Sequence, residues 1–334
     1  MNESSIQATV DAAALVDVVV LVLGDDLETC AEMGDRSSLT LLGGQPELLR
    51  RVSAVAKKTI VVLIGGRPIT FETGQCVANS KPAQAGVGFP WDPNESVGAA
   101  CLVDSLLSNV SALLVAWRPG AEGGTALINL LSGAVNPSGH LSVSWPRSVG
   151  GLGSQAPYLQ QFQLHWRETY QEEPSTPLFR FGHGLSYSNF TLGSPQLLSL
   201  QREPSDQPVG ANDTVILAVN ITNSQGPRGT AVLLVQVYYQ QATAPVIRYI
   251  QQLLRYKRVV LDPGLSMVVE FEVVVRDMAY WNNQEDGYLP GEVGWQLGTK
   301  GRLSTFFLMV GLSAAECQGP NACDLHSAQL NVNP

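Results

Sequence analysis

The sequence predicts two folds in series: an α/β domain with a mostly parallel sheet between helix layers, then an antiparallel β-sandwich. Three observations carry this. Strand and helix signals alternate one for one through the first half. Helical periodicity nearly vanishes after Thr191. Beyond it, short β-rich runs recur between turn signals.

The first strand is Val16 to Leu23, a continuous β-branched run ended by Gly24. Its apolar stretch is too short to cross a bilayer and lacks the flanks of a signal peptide. The chain therefore opens almost directly into a strand, which points to a fragment or an incomplete gene model. Gln45 to Lys57 has helical spacing, with Leu48, Leu49, Val52 and Val55 on one face. Thr59 to Ile64 is a strand ended by Gly65 and Gly66. Thr73 to Glu95 reads as a polar loop or insertion, and Val97 to Leu107 as a helix. Ala112 to Trp117 is a strand stopped by Pro119 and Gly120. Gly124 to Leu131 is a helix, and Leu141 to Trp145 a strand.

In the second half, Val215 to Asn220, Ala231 to Tyr239, Tyr256 to Leu261, Met267 to Val275 and Thr305 to Leu312 read as strands. Turn signals at Asn223 to Gly229, Asp262-Pro263-Gly264 and Gly298 to Gly301 separate them. This is the pattern of an immunoglobulin-like or fibronectin type III-like sandwich. The expected boundaries are an α/β domain over 1–192, a linker over 193–210, a sandwich over 211–318 and a tail over 319–334.

At 334 residues, with 45% hydrophobic and 15% charged residues, both halves can bury a core. The formal charge of −9 comes with no basic stripe, which argues against nucleic acid and anionic membranes as partners. The five cysteines match no zinc spacing. Cys317 and Cys323 could close a small disulfide loop or remain free thiols. Sequons at Asn2, Asn94, Asn109, Asn189, Asn212 and Asn220 exceed chance and lean toward a secretory protein.

Ligands of open parallel sheets bind at the carboxyl ends of the strands. The loop after the first strand, Gly24 to Leu42, is therefore the first candidate site. It holds Asp25, Asp26, Glu28, Glu32, Asp35 and Arg36 within a dozen residues. A general acid needs a raised pKa, which burial or a second carboxylate supplies, while an arginine holds other carboxylates ionised. The competing reading is a solvated acidic loop with a structural Asp35–Arg36 pair. A calcium site is weaker still, because no Asp-x-Asp-x-Asp-Gly pattern is present. Trp117 could stack on a sugar ring or pack the sheet end. Gly120, Gly123 and Gly124 fit tight packing better than an anion cradle, and His183 reads as structural. No dinucleotide fingerprint or nucleophile elbow is placed correctly, and no cofactor or metal is expected.

Several motifs, in order, resemble glycoside hydrolase family 3. Asp17 to Gly24 followed by Glu32-Met-Gly-Asp35-Arg36 and Gly43-Gly-Gln45 is similar to the start of that family's C-terminal α/β domain. Met33 stands where many members have glycine, and Leu42 where they have proline. Val61 to Ile69 is similar to the second strand and its Gly-x-Pro turn. Ala116-Trp117-Arg-Pro119-Gly120-Ala-Glu122-Gly123-Gly124, Gly133 to Leu141 and Phe181-Gly-His183-Gly184-Leu185-Ser186-Tyr187 resemble three further family motifs. Gly229 to Tyr239 and Lys257 to Gly264 resemble the family's fibronectin type III-like domain.

The resemblance implies the C-terminal part of a retaining, exo-acting β-glucosidase or β-xylosidase acting on a β-linked glycoside or oligosaccharide. Glu32 would be the acid/base, with Glu28 the second candidate because the position varies between branches. Asp35 and Arg36 would shape the loop and, with Trp117, contact substrate. The nucleophile would be an aspartate in a Ser-Asp-Trp-like context on a (β/α)₈ barrel. That motif is absent, and the chain has no room for a barrel, which needs roughly 200 residues or more. The barrel is expected to dock on the α/β domain, and the chain alone is expected to be inactive. In the full-length protein, secretion or residence in the secretory pathway, lysosome or vacuole is expected. The alternative is a non-catalytic remnant that binds carbohydrate or protein.

Overall fold

The computed structural model describes residues 2–26, 29–32, 34, 36–76, 103–152, 177–201, 209–239, 251–282, 294–297, 304–313 and 326–332. The chain falls into two compact units. The first comprises Met1–Ile128, Trp145–Gln155 and Glu168–Leu178; the second comprises Asn129–Ser144, Ala156–Arg167 and Phe179–Pro334.

The first unit begins with a helix, α1 (Glu3–Ala13), rather than directly with a strand. Asn2 caps it: its side chain accepts the N–H of Ser5 at 3.0 Å, and Glu3 adds an acidic residue to the first turn. Only Ile6 and Ala13 of α1 are buried, so its apolar periodicity is faint. Strand β1 (Val19–Gly24) leads to helix α2 (Gln45–Val55), which has proline in its first turn and buries Leu48, Leu49 and Val52. Arg51 of α2 reaches Glu3 at 2.5 Å and also donates to Gln7, tying α2 to α1.

Strand β2 (Thr59–Ile64) pairs in parallel with β1, Val19 opposite Thr59 through Gly24 opposite Ile64. Strands β3 (Glu72–Cys76) and β4 (Val103–Ser105) form an antiparallel pair. This corrects two expectations: residues 73–76 are strand rather than loop, and 103–105 strand rather than helix. Leu106 and Leu107 form a turn, and the remainders, 77–95 and 97–102, lie outside the described residues. Strand β5 (Ala112–Trp117) completes the parallel sheet, in the order β1-β2-β5, and helix α3 (Gly123–Leu131) follows.

Leu141–Trp145 is not a strand. The alternation Leu-Ser-Val-Ser-Trp imitates one, but Trp145 is anchored by its side chain. Its indole N–H donates to the carbonyl of Ile69 at 2.7 Å, and its ring stacks on Phe71.

One face of β1 is bare. Leu21 and Leu23 are 7% and 5% exposed, whereas Val20 and Val22 are 44% and 60% exposed, and Val18 just before them 46%. Parallel sheets are ordinarily covered on both faces, and here Val20 and Val22 of β1, with Val18 just before it, leave an apolar face open.

In the second unit, strands β6 (Asn189–Leu192), β7 (Gln196–Gln201), β8 (Thr214–Gln225), β9 (Gly229–Tyr239), β10 (Gln251–Leu261) and β11 (Ser266–Val274) follow one another. The 3₁₀ turn Val275–Met278, the short pair β12 (Tyr280–Asn282) and β13 (Gly294–Gln296), then β14 (Ser304–Gly311) and β15 (His326–Val332) complete it. One sheet runs β10-β9-β14-β15; the other runs β11-β8-β6, with β7 also pairing β8. Leu217, Phe271, Leu233, Phe306, Leu308 and Val332 meet in one buried core. Each such side chain is worth about 1.5–3 kcal/mol of burial. The stretch read as linker thus contains β7, and the stretch read as tail contains β15. The Cys317–Cys323 loop and the Gly298 turn signal lie outside the described residues.

Asn136 organises the start of this unit. Its carboxamide oxygen accepts Ser186 Oγ at 2.9 Å and the N–H of Tyr187 at 2.8 Å. Its amide donates to Ser188 Oγ at 2.8 Å and to the carbonyl of Arg228 at 3.2 Å. Nearby, Leu141 and the 182–183 segment exchange backbone bonds, and His140 Nδ1 lies 2.6 Å from the carbonyl of Gly182.

The open edge of β11 is capped by side chains from β10. Arg255 Nε donates to the carbonyl of Glu272 at 2.9 Å, and Lys257 Nζ to that of Glu270 at 2.5 Å.

Candidate active site

The carboxyl ends of β1, β2 and β5 bring three loops together, as the topology dictates. Gly24 makes the turn out of β1 possible. Its φ is +137°, and a Cβ there would stand 1.8 Å from the carbonyl oxygen of Ile64. Gln45, far along the chain, closes both backbone groups of Gly24 with its carboxamide.

Asp25 follows, with its N–H donating to the carbonyl of Ile64 at 2.9 Å. Its side chain is 1% exposed. Arg36 lies 2.5 Å from Asp25 Oδ1, and Arg67 Nε 3.5 Å from Oδ2. A carboxylate buried this deeply is tolerable only with such partners. Arg36 thus pairs with Asp25, and the Asp35–Arg36 pair suggested by adjacency falls on a residue outside those described. Arg36 also donates to the carbonyl of Thr40 at 2.5 Å, so its guanidinium is committed to shaping the loop.

Asp26 makes a tight turn, accepting the N–H of Thr29 at 3.0 Å and its hydroxyl at 2.7 Å. Glu32 sits in the next turn, where Gly34 N–H donates to the carbonyl of Ala31 at 2.9 Å. Glu32 is exposed, and its carboxylate has no hydrogen-bond or ion-pair partner among the described residues. The acidic cluster therefore divides: Asp25 and Asp26 build the loop, while Glu32 is left open. Glu28 and Asp35 lie outside the described residues.

Trp117 ends β5 with φ of 52°, a left-handed conformation that costs a bulky residue about 1–3 kcal/mol. Its carbonyl accepts Gly65 N–H at 3.0 Å, and its half-buried ring lies 5.9 Å from that of Trp145 at a tilt of 53°. One side of the ring is thus spent on packing.

Two arginines that sequence reasoning did not single out pin the loop carrying Glu32. Arg67, after β2, donates to the carbonyl of Thr29 at 2.8 Å. Arg118, after β5, donates to the carbonyl of Cys30 at 2.7 Å and contacts its sulfur at 2.8 Å. The arginines adjoin motifs that were recognised, Gly65-Gly66 and Trp117, but their target is distant in sequence.

The family model of the glycosyl hydrolase family 3 C-terminal domain matches residues 2–87 and 95–187, and that of the fibronectin type III-like domain matches 234–299. A beta-xylosidase of Formosa agariphila is 34% identical over 79% of this chain and 31% of its own length. A periplasmic beta-glucosidase of Salmonella typhimurium is 30% identical over 84% of this chain and 32% of its own. Among solved structures, a beta-glucosidase from Listeria innocua in complex with glucose superposes with a TM-score of 0.73 at 25% identity, covering 100% of this chain and 39% of that one. The chain thus spans about a third of the length of the curated relatives it matches. With motifs, parallel sheet, sandwich and relatives in agreement, the chain belongs to glycoside hydrolase family 3 and corresponds to its C-terminal and fibronectin type III-like domains.

Proposed function

We propose that this chain supplies the acid/base loop of a retaining β-glycosidase that acts on β-glucosides or β-xylosides, with Glu32 as the acid/base. The observation that supports it is the open carboxylate of Glu32, on a loop held by Arg36, Arg67 and Arg118 where the carboxyl ends of the parallel strands meet. In a retaining mechanism such a group first gives its proton to the glycosidic oxygen, then takes one from the water that releases the sugar. A second carboxylate, about 5–5.5 Å away, forms the covalent intermediate. We assign that group to a barrel domain resting against the α/β unit, and the bare Val18, Val20 and Val22 face is the surface it would cover. Glu28 remains the second candidate for the acid/base, and Asp35 a residue that shapes the loop. A secretory location is part of the same proposal; Asn2, Asn109, Asn189, Asn212 and Asn220 all stand exposed in their sequons.

The test joins the barrel of a family relative to this chain in one polypeptide. The fusion is expected to hydrolyse aryl β-glucosides or β-xylosides, and the chain alone is not. Glu32→Gln should lower kcat by about 10²–10⁴-fold on substrates with poor leaving groups and much less on activated ones. A Glu32→Gln fusion as active as its parent would reject Glu32 and turn attention to Glu28.

A further inference from the structure

We infer that Arg118 is a positioning residue: from the end of β5 its guanidinium clamps Cys30 and so fixes the loop that carries Glu32. The importance given to Glu32 rests on the glycosidase reading above; the clamp itself does not.

The geometry is a two-point grip. One nitrogen of Arg118, Nη2, donates to the Cys30 carbonyl at 2.7 Å and to its sulfur at 2.8 Å. Arg67 approaches the same sulfur while holding the neighbouring carbonyl of Thr29 at 2.8 Å. The N–H of Gly66 is a third donor. Gly66 also forms the floor of the cradle: a Cβ there would lie 2.9 Å from the sulfur and 3.0 Å from Arg118 Nη2. No bulkier residue fits without moving one of them.

A neutral thiol is a weak acceptor, and a thiolate between guanidinium groups is a strong one. The hydrogen bond from Arg118, followed by that from Arg67, draws the Cys30 thiol below its ordinary range, and burial opposes this only in part. The two arginines therefore favour the thiolate form of Cys30, and charge on the sulfur strengthens the grip of Arg118. The backbone conformation of Trp117 belongs to the same device. Its left-handed turn ends β5 immediately before Arg118, and the strain is held where the clamp begins. Glu32 lies two residues beyond Cys30, so a loop released at Cys30 releases Glu32.

The experiment follows alkylation of Cys30 by iodoacetamide from pH 5 to 9.5 on the intact chain, resolved by peptide mass spectrometry from the other cysteines. It is paired with amide hydrogen exchange. The wild-type midpoint for Cys30 should fall below that of an ordinary thiol. Arg118→Gln should move it to higher pH and make exchange in the peptide spanning Thr29 to Arg36 several-fold faster, while β1 and β2 stay protected. Arg118→Lys, which keeps the charge but not the fork, should fall between. A wild-type Cys30 that titrates like a free thiol overturns the inference without any variant. So does an Arg118→Gln chain with unchanged midpoint and unchanged loop exchange. Neither readout contains a sugar. An inactive fusion would therefore count against the glycosidase reading alone, and an unmoved Cys30 against the clamp alone.

Discussion

The carboxamide of Gln45 engages both backbone groups of Gly24: its Oε1 accepts the N–H at 2.8 Å and its Nε2 donates to the carbonyl at 2.9 Å. The first turn of α2 is thereby fastened to the point where β1 becomes the candidate loop. Gln45→Ala leaves a part-buried donor and acceptor unpaired and should cost about 2 kcal/mol. Gln45→Glu offers two acceptors where one donor is needed and should also destabilise. Urea denaturation of the three chains at neutral pH measures both; an alanine variant within error of wild type contradicts the argument.

Asn136 makes four hydrogen bonds with one side chain, two as acceptor and two as donor. Asn136→Ala removes all four at once and should cost about 3 kcal/mol. Asn136→Asp keeps the acceptors, loses the donors, and should recover only part of that. The midpoint of chemical denaturation followed by tryptophan fluorescence separates the variants.

The pH dependence of stability should carry a contribution from His183. Burial lowers its pKa from 6.5, and the nearby His140 lowers it further; its ring also stacks on Phe179 at 5.0 Å. The folded chain therefore prefers a neutral ring, and the unfolded chain binds the extra proton. The contribution is fully present above about pH 6.5 and is lost as pH falls through the folded value. Denaturation at pH 7.5 and 5.5 should show lower stability at the acidic end. His183→Asn should flatten that difference even if it lowers stability at both.

Arg255 and Lys257 occupy the outward carbonyls of Glu272 and Glu270, the groups through which a foreign strand would add to β11. The double variant Arg255→Ala, Lys257→Ala should remain folded but aggregate faster on incubation at 37 °C. Light scattering checks this, and equal rates for variant and wild type would show that the edge is guarded by something else.

Where a segment's structure follows from its own residues, the sequence was readable. Thr59–Ile64 and Ala112–Trp117 have the observed bounds because each is a continuous apolar run closed by glycine or proline. Helix α1 escaped notice because only Ile6 and Ala13 face inward, and its signal is a capping Asn2 rather than a hydrophobic stripe. Leu141–Trp145 misled because its alternation imitates a strand, whereas Val143 is exposed and Trp145 is buried through Ile69 and Phe71. Within its loop, Glu32 was singled out only by its place in the family-like motif, not by its own spacing. The partners that hold that loop, Arg67 and Arg118, come from the ends of β2 and β5, and no local spacing links them to Cys30. Asp25 was grouped with the other acids because exposure, which divides them, is a property of the fold.

The open valines of β1 turn the chemistry of this chain into a competition governed by mass action. A bare apolar face is taken by whatever presents a matching surface at the highest local concentration. A domain tethered to the same polypeptide by a short linker acts at roughly millimolar effective concentration. Free copies of this chain at micromolar levels cannot compete with that. Separated from such a tether, Val18, Val20 and Val22 have only solvent and other copies of the chain to meet. The same three side chains would then serve the proposed docking of a barrel in one setting and self-association in the other.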